Sequence, residues 1–193
     1  MSLDEQIRWD RQYGQSRGPE KPSAFLKEIL DGDHWDIAPG RALDIASGAG
    51  RNALFLAEKG FDVTAVDISQ VGLDQGERRA AERSLSIAWQ QADLENSRPP
   101  LGTYDLIVNI NFLQRSLIPE IKSRLATGGH VIFETYLIDQ QTIGRPKNPK
   151  YLLARNELLD HFRDFRVLYY REGKFVDGGE ASFRAGVFAQ KLH

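Results

Sequence analysis

The sequence predicts a single α/β domain built on a doubly wound, mostly parallel sheet. Short apolar segments alternate with segments of helical spacing between about residues 41 and 135, which is typical of βαβ units whose sheet is covered on both faces. Several apolar segments end in an acidic or amide residue, and such sheets bind ligands beyond the carboxyl ends of their strands. The 193 residues are enough for one domain, 1–193, with its own core.

Composition excludes several classes of protein. A formal charge of −2 offers no electrostatic footprint for nucleic acid or an anionic membrane. The absence of cysteine excludes disulfides, thiolate metal sites and cysteine nucleophiles, and the four histidines lack ligand spacing, so no metal site is expected. No apolar run approaches the ~20 residues that span a bilayer, and Asp4 and Glu5 are unlike a signal peptide. These features predict a cytoplasmic protein and leave its oligomeric state open.

The N-terminal part is expected to be helical and polar. Residues 1–22 hold Trp9 and Tyr13 on a predicted short helix, followed by a loop from residue 14. Residues 24–30 carry apolar side chains at helical spacing, which predicts a second helix. A Pro-Gly pair then interrupts the chain before the first strand.

The central elements follow from apolar segments and the residues that end them. Gly60 is placed to end the first crossover helix, and Gly128 with Gly129 to end the third. Asp67 and Asp93 follow the second and third strands. The predicted order is strand 41–45, helix 51–60, strand 61–66, helix 69–84, strand 87–91, strand 104–110, helix 117–125 and strand 130–135.

The character of the chain changes after Tyr136. Residues 137–150 combine Gly, Pro, Asn and basic residues and are predicted to form a loop. A helix is expected at 156–162, and two strands at 165–170 and 181–190 are expected on either side of a glycine-bearing turn.

The stretch from Asp44 to Gly50 carries most of the functional information. It is a strand end, an acid and a glycine-rich turn before a helix. Gly48 and Gly50 allow a ligand to approach the backbone, and the amides of the following helix start face that ligand. The Asp44 carboxylate would repel a pyrophosphate but hold an ammonium group. The turn is therefore expected to bind a ligand that has a cationic end.

Polar residues after the next strands suit one composite ligand. Asp67 is positioned to accept hydrogen bonds from both hydroxyls of a ribose, and Asp93 to accept one from an adenine amine. Asn109 and Phe112 follow the fourth strand. Together with Asp44, this set describes a nucleoside with an amino-acid tail.

The chain resembles the class I S-adenosylmethionine-dependent methyltransferases. Their first motif stands here as Asp44-Ile45-Ala46-Ser47-Gly48-Ala49-Gly50, with Ala46 in place of the first glycine, and their later acids match Asp67 and Asp93. The resemblance implies a Rossmann-like seven-stranded sheet whose last strand, 181–190, is antiparallel. Within this class, Trp9 to Tyr13 and Arg51-Asn52 are similar to segments of the small tellurite-resistance-type methyltransferases. That similarity implies that residues 1–22 form a lid over the cofactor, with Tyr13 against it.

The resemblance implies S-adenosylmethionine as the cofactor and a small-molecule methyl acceptor as the partner. The implied cofactor-binding residues are Trp9, Tyr13, Asp44, Ala46, Ser47, Gly48, Gly50, Asn52, Asp67, Ile68, Ser69, Ala92, Asp93, Leu94, Asn109 and Phe112. Tyr136 and Arg145 are candidate substrate residues. The basic residues Arg145, Lys147 and Lys150 are either solvated charges of the 137–150 loop or part of a cover over the substrate pocket that would favour an anionic acceptor. No catalytic residue is assigned, although Glu134, Tyr136 or Asn109 could act as a base.

Two alternative functions stay open. A nicotinamide-dependent oxidoreductase is one, because Gly48 to Ala53 fits the dinucleotide fingerprint and Tyr170 precedes Lys174 by four residues. Asp44 argues against it, and Gly173 opposes the helix that such a Tyr-Lys pair needs. A non-catalytic S-adenosylmethionine-binding module is the other alternative.

Overall fold

The sheet has seven strands in the order β3-β2-β1-β4-β5-β7-β6. The computed structural model describes residues 3–16, 18–177 and 179–193, so residues 1, 2 and 17 of the predicted lid lie outside the described residues. The helices are α1 (Leu3–Gln15), α2 (Ala24–Asp31), α3 (Arg51–Glu58), α4 (Gln70–Glu82), α5 (Ile118–Arg124) and α6 (Glu157–His161). The strands are β1 (Arg41–Ile45), β2 (Asp62–Asp67), β3 (Ile87–Gln91), β4 (Tyr104–Ile110), β5 (Leu125–Tyr136), β6 (Arg166–Asp177) and β7 (Glu180–Gln190).

The pairing of the strands brings the predicted functional ends together. β1 lies between β2 and β4 in parallel, and Ile45 is in register with both Val66 and Asn109. β7 is antiparallel to both β5 and β6. The predicted doubly wound sheet with an antiparallel last strand is therefore confirmed.

Two apolar layers fix the sheet, because alternate residues of a buried strand point to opposite faces. On one face Leu43 and Ile107 pack with residues of α5 and α6. On the other face Ala42 packs with Phe25 and Leu56 from α2 and α3. Burying one such large side chain contributes about 1.5–3 kcal/mol. The carboxyl edge of the sheet thus rests on two packed apolar layers. Within the part of the chain described here, no helix is long and apolar enough to cross a membrane.

The region around Gly128 and Gly129 differs from the prediction. These glycines lie inside β5, not after a helix, because β5 begins at Leu125. Leu125 is in register with Tyr104 of β4, and the Gly128 amide donates to the Lys191 carbonyl at 2.8 Å. Pairing with neighbouring chain segments, which no local pattern reveals, determines the conformation here.

The C-terminal third also departs from the prediction. The 137–150 loop contains two short 3-10 helices, Ile138–Thr142 and Pro149–Tyr151. β6 continues to Asp177, well past the predicted end at residue 170, because it pairs with β7 as far as Glu180. The long β6–β7 hairpin brings arginines beside the carboxyl end of β5.

Candidate functional site

The turn after β1 alternates residues in the left-handed region. Ala46, Gly48 and Gly50 have φ of 53°, 56° and 76°. The Ser47 amide donates to the Val66 carbonyl at 3.0 Å, which ties the turn to β2. Glycine adopts this conformation freely, whereas Ala46 is strained by about 1–3 kcal/mol. Ala46, which stands where the resembled family has its first glycine, thus adopts the left-handed conformation that glycine would adopt freely.

The Asp44 carboxylate lies beneath this turn without a partner. Its residue is 1% exposed, and among the described residues no donor meets either carboxylate oxygen with hydrogen-bond geometry. Burial raises the Asp44 pKa to about 7, with a further increase from the charge of Asp67. The Ala53 amide and the Arg51 guanidinium oppose this shift. A buried carboxylate of this kind is costly unless a positive group neutralises it.

Asp67 connects the turn to the next helix. One carboxylate oxygen accepts from the Gly48 amide at 2.8 Å, and the other accepts from the Ser69 amide at 2.9 Å. Each ionised oxygen can accept a further bond, which suits a pair of ribose hydroxyls. The Ser69 hydroxyl caps α4 by accepting from the Gly72 amide at 3.1 Å. Burial raises the Asp67 pKa, and the donating amides lower it.

The N-terminal helix α1 packs directly over the glycine turn. A β-carbon built on Gly48 would overlap the Tyr13 hydroxyl, so this glycine leaves the space that the tyrosine fills. Burial raises the Tyr13 pKa, and the charge of Asp67 raises it further. The Trp9 and Tyr13 rings stack with centroids 6.0 Å apart. Tyr13 therefore lies at the turn, and Trp9 stacks against it from the same helix.

Asp10 fastens α1 to the start of α4. Its carboxylate accepts from the Ser69 hydroxyl at 2.6 Å and from the Val71 amide at 3.3 Å. The Gln75 side chain also donates to the Tyr13 carbonyl at 2.6 Å. No side chain of α1 is fully buried, so these polar bonds contribute much of its attachment. Sequence reasoning missed Asp10 because an acid on a polar helix resembles any surface residue.

The ends of β2 and β3 lie beside Asp67. The Ala92 amide donates to the Asp67 carbonyl at 2.9 Å. The half-buried Asp93 carboxylate accepts from the Glu95 amide at 3.0 Å and the Asn96 side chain at 2.7 Å. Leu94 packs into the core. The remaining residue of this group, Ile68, accepts through its carbonyl from Gln91 at 3.0 Å.

Two predicted amides hold backbone segments in place. Asn52 accepts from the Ser23 amide at 2.9 Å, which anchors the segment between α1 and α2. Asn109 donates to the Phe112 carbonyl at 2.7 Å, and its buried side-chain oxygen has no partner. Phe112 packs against the core from a half-buried position. Asn109 therefore retains an acceptor at the carboxyl end of β4.

A network of charged side chains lies at the carboxyl end of β5, beside β6 and β7. Glu134 is 3% exposed, and its carboxylate accepts from Arg171 at 2.7 Å and Arg184 at 3.4 Å. Arg184 also donates to Asn111 at 2.5 Å and to the Tyr136 hydroxyl at 2.8 Å. Its guanidinium lies 4.2 Å from the centre of the Tyr136 ring. Sequence reasoning missed both arginines, since their place depends on the long β6–β7 hairpin.

Arg51 lies between these two groups. Its guanidinium makes one long hydrogen bond, at 3.4 Å, to the Lys21 carbonyl. Burial lowers the Arg51 pKa, Asp44 raises it and Arg184 lowers it again. The Tyr13 and Tyr136 hydroxyls also act on it electrostatically. The sequence singled out Asn52 at this helix start and assigned nothing to its neighbour.

Of the two predicted substrate residues, Tyr136 belongs to the charged network, whereas Arg145 lies in the exposed 137–150 loop. Arg145 is exposed, and its carbonyl accepts from the Gln140 side chain at 2.9 Å. Lys150 pairs with Glu95 at 3.2 Å, and the exposed Lys147 accepts through its carbonyl from Gln141. The structure thus gathers α1, the turn and the strand ends, while the basic side chains of the loop point to its surface.

Comparisons with known proteins agree with this geometry. A family model described as a methyltransferase domain matches residues 42–129. The probable S-adenosyl-L-methionine-dependent methyltransferase TehB of Haemophilus influenzae is 28% identical over 143 residues, 70% of this chain and 49% of that protein. The ubiquinone biosynthesis O-methyltransferase of Nitrosococcus oceani is 29% identical over 134 residues, 66% of this chain and 56% of that protein. The chain therefore spans about half the length of the curated relatives it matches.

The fold is also that of a solved structure. The crystal structure of TehB from Haemophilus influenzae superposes with a TM-score of 0.76 at 21% identity. The match covers 95% of this chain and 67% of the other. Both the matched domain and the fold include the turn after β1 and the acidic ends of β2 and β3.

Proposed function

We propose that the chain, whose residues 42–129 match a methyltransferase domain, is a class I S-adenosylmethionine-dependent methyltransferase that transfers a methyl group from S-adenosylmethionine to a small-molecule acceptor. The observation that supports this most strongly is the buried Asp44 carboxylate without a partner. The cofactor carries an ammonium group that would neutralise it. A dinucleotide would instead bring a pyrophosphate towards the same carboxylate, and Tyr170 and Lys174 both lie on the strand β6.

The residues present suit the cofactor's other parts. Asp67 retains acceptor capacity for the ribose hydroxyls while Gly48 and Ser69 hold it in place. Ala92, Asp93 and Leu94 border that site on the side where the adenine is expected. Tyr13 covers the turn and would exclude water from the amino-acid end. When bound, the cofactor supplies a methyl group already activated by its positively charged sulfur.

The protein's task is then mainly alignment and exclusion of water. Holding the two reactants in line can lower the barrier by about 7–11 kcal/mol. Glu134 is engaged by two arginines, which makes it a poor base. The Tyr136 hydroxyl accepts from Arg184. This arrangement favours an acceptor whose nucleophilic atom is soft or already anionic and so needs little help from a base.

Ligand-dependent stability tests the cofactor assignment. S-adenosylhomocysteine at 100 times its Kd should stabilise the wild-type protein by about 2.7 kcal/mol, a rise in Tm of about 5–10 °C. NAD should give no shift. Asp67→Asn should reduce the shift, whereas Asp62→Asn, at the exposed start of the same strand, should preserve it. A shift with NAD alone would support the oxidoreductase instead.

Activity is tested by transfer of a labelled methyl group to a panel of acceptors. The panel should include thiols, selenium and tellurium anions, phenols and amines, since one relative's name describes an O-methyltransferase. Turnover with any of these supports an enzyme. Cofactor binding without transfer to any of them would favour the non-catalytic binding module.

A further inference from the structure

The strand β6 forms one open edge of the sheet. It pairs with β7 on one side, and within the described ranges no strand pairs with its other side. The backbone N–H and C=O groups along an open edge are a template for pairing with a further strand. Proteins protect such edges by making them short, bulged or interrupted by proline. The strand at the opposite edge, β3, follows this rule because it has only five residues.

β6 lacks most of this protection. It has twelve residues, from Arg166 to Asp177, and none of them is proline. Its register with β7 shifts between Val167 and Tyr169, near the start of the strand. The nine residues from Tyr169 to Asp177 then pair with β7 without interruption, over a length of about 30 Å. Val176 in this segment is 70% exposed. The second half of β6 is therefore a long and regular open edge with apolar surface.

The charges of this segment are arranged so that a second copy of it would complement them. When two identical strands pair antiparallel about a two-fold axis, residues equally far before and after the central residue lie opposite each other. Gly173 is the central residue of the segment. A pairing centred on it would place Glu172 of each copy opposite Lys174 of the other. The Lys174 side chain is exposed, and none of the described residues pairs with it.

The next positions in the same register are also compatible. Tyr170 would lie opposite the exposed Val176, and an aromatic residue opposite a β-branched one stabilises a sheet, as opposite charges do. Arg171 would lie opposite Phe175. Within one chain the Arg171 guanidinium is already 4.6 Å from the centre of the Phe175 ring, so this face of the strand accommodates an arginine beside an aromatic ring.

Registers centred one residue away are unfavourable. A pairing centred on Glu172 would oppose two carboxylates, and one centred on Lys174 would oppose two ammonium groups, which destabilises a sheet. Gly173 has no side chain, and apart from its chain neighbours nothing described lies within 4 Å of a β-carbon built on it. It therefore leaves room for the close approach of a second backbone.

We propose that two copies of this chain dimerise by antiparallel pairing of β6 about Gly173, which joins their sheets into one. The dimer goes beyond the proposed function and does not depend on it. It bears on the site because β6 carries Arg171, which donates to Glu134 at 2.7 Å. Pairing of the open edge would thus brace the network of charged side chains at the carboxyl end of β5.

Sedimentation velocity with charge-reversal variants tests both the dimer and its register. The wild-type protein should sediment as a dimer at about 100 μM and dissociate on dilution. Lys174→Glu opposes carboxylates at two positions and should raise the dimer Kd about 10–100-fold. Glu172→Lys opposes ammonium groups at the same positions and should act alike. Lys147→Glu, on the exposed loop, is the matched control and should leave the dimer unchanged.

An equimolar mixture of the two reversal variants is the sharpest test. Mixing restores an opposite-charge pair at both positions, so a heterodimer should form with nearly wild-type affinity. Because Glu172 also accepts from the Asn156 amide at 2.8 Å, its replacement could disturb the fold. Association in the mixture separates lost pairing from lost folding.

Three outcomes overturn the proposal. A wild-type protein that stays monomeric at about 100 μM would exclude the dimer, even if this edge pairs with a strand of another protein. A dimer that Lys174→Glu does not weaken would have its interface elsewhere. Folded variants that dissociate alone and do not associate on mixing would exclude the register centred on Gly173.

Discussion

Asp44 and Glu134 are buried carboxylates at the same edge of one sheet, but their surroundings differ. Glu134 accepts from Arg171 and Arg184, whereas neither oxygen of Asp44 has a hydrogen-bond partner in the part of the chain that the structure describes. Charges that satisfy each other within the protein form a framework. A buried charge left without a partner indicates where a ligand completes the structure. We therefore propose that the β1–β2 half of the edge is the binding half and that the β5–β7 half is its support.

Replacing Asp44 should give the largest effect, with opposite signs for binding and stability. Asp44→Asn should weaken S-adenosylhomocysteine by about 100-fold or more, through loss of a buried charge pair. It should also stabilise the free protein by about 1–3 kcal/mol at pH 8, because an uncompensated buried charge is removed. Calorimetry and urea unfolding measure the two effects. Loss of both binding and stability would assign Asp44 to the framework.

Glu134→Gln should show the reverse behaviour. It leaves two arginines without their carboxylate and should lower the free energy of unfolding by about 2–4 kcal/mol. The loss is limited to this range because part of each guanidinium still contacts solvent. Affinity for S-adenosylhomocysteine should stay within about 3-fold of wild type. Urea unfolding with binding of the folded variant measures both. A large loss of affinity in a stable variant would place Glu134 in the binding half.

Gly48→Ala should weaken the binding of S-adenosylhomocysteine and disturb the packing of α1 over the turn. Its φ of 56° strains an alanine, and the added carbon overlaps the Tyr13 hydroxyl. We expect a loss of about 1–3 kcal/mol in stability and about 10-fold in S-adenosylhomocysteine affinity. Gly128→Ala is the matched control, because φ is 82° there and nothing lies within 4 Å of the new carbon. Equal binding losses in both variants would exclude a specific role for the turn.

Replacing Tyr13 should weaken the binding of S-adenosylmethionine, which is charged at sulfur, more than the binding of S-adenosylhomocysteine, which is not. If the ring lies near the sulfur, a cation–π contribution of about 0.5–2 kcal/mol is present with S-adenosylmethionine and absent with S-adenosylhomocysteine. Tyr13→Leu should therefore weaken S-adenosylmethionine more, whereas Tyr13→Phe keeps the ring and should preserve the ratio. Paired titrations measure it. An unchanged ratio in Tyr13→Leu would leave Tyr13 as a steric cover alone.

The smallest effect is expected at the predicted substrate loop. Arg145 is exposed, so its attraction for an anionic acceptor is screened by salt. Arg145→Ala should raise the KM of such an acceptor by about 2–5-fold at low ionic strength, with kcat unchanged. The same assay at high salt is the control, where the difference should shrink. An unchanged KM at low salt would remove the residue from the acceptor site.

Much of the binding half was predictable, because its signals are local. The acid, the alternating glycines and the strand-end acids lie within short stretches, and parallel pairing brings Ile45 level with Val66 and Asn109. The supporting half was not predictable. Arg171 and Arg184 reach Glu134 only because β6 and β7 pair over their full length. Arg51 was missed for a different reason, since the electrostatic influence of Asp44 and Arg184 on it is visible only in three dimensions.

The pH dependence of S-adenosylhomocysteine binding tests the central claim most directly. Burial raises the Asp44 pKa to about 7 in the free protein, so below that pH the carboxyl is protonated and must release its proton to hold an ammonium. Affinity should therefore rise with pH, by up to about 10-fold per unit below pH 7, and level off above it. The free energy of unfolding should change oppositely, falling from about pH 4 to 7, because the unfolded state releases this proton first.

Calorimetric titrations of the wild-type protein and Asp44→Asn between pH 5.5 and 8 measure this dependence. We expect affinity to rise with pH in the wild type and to follow a flatter profile in the variant, whose residual slope reports Asp67 and other groups. A wild-type affinity independent of pH, or an equal slope in Asp44→Asn, would contradict the claim that the ligand neutralises the unpartnered carboxylate.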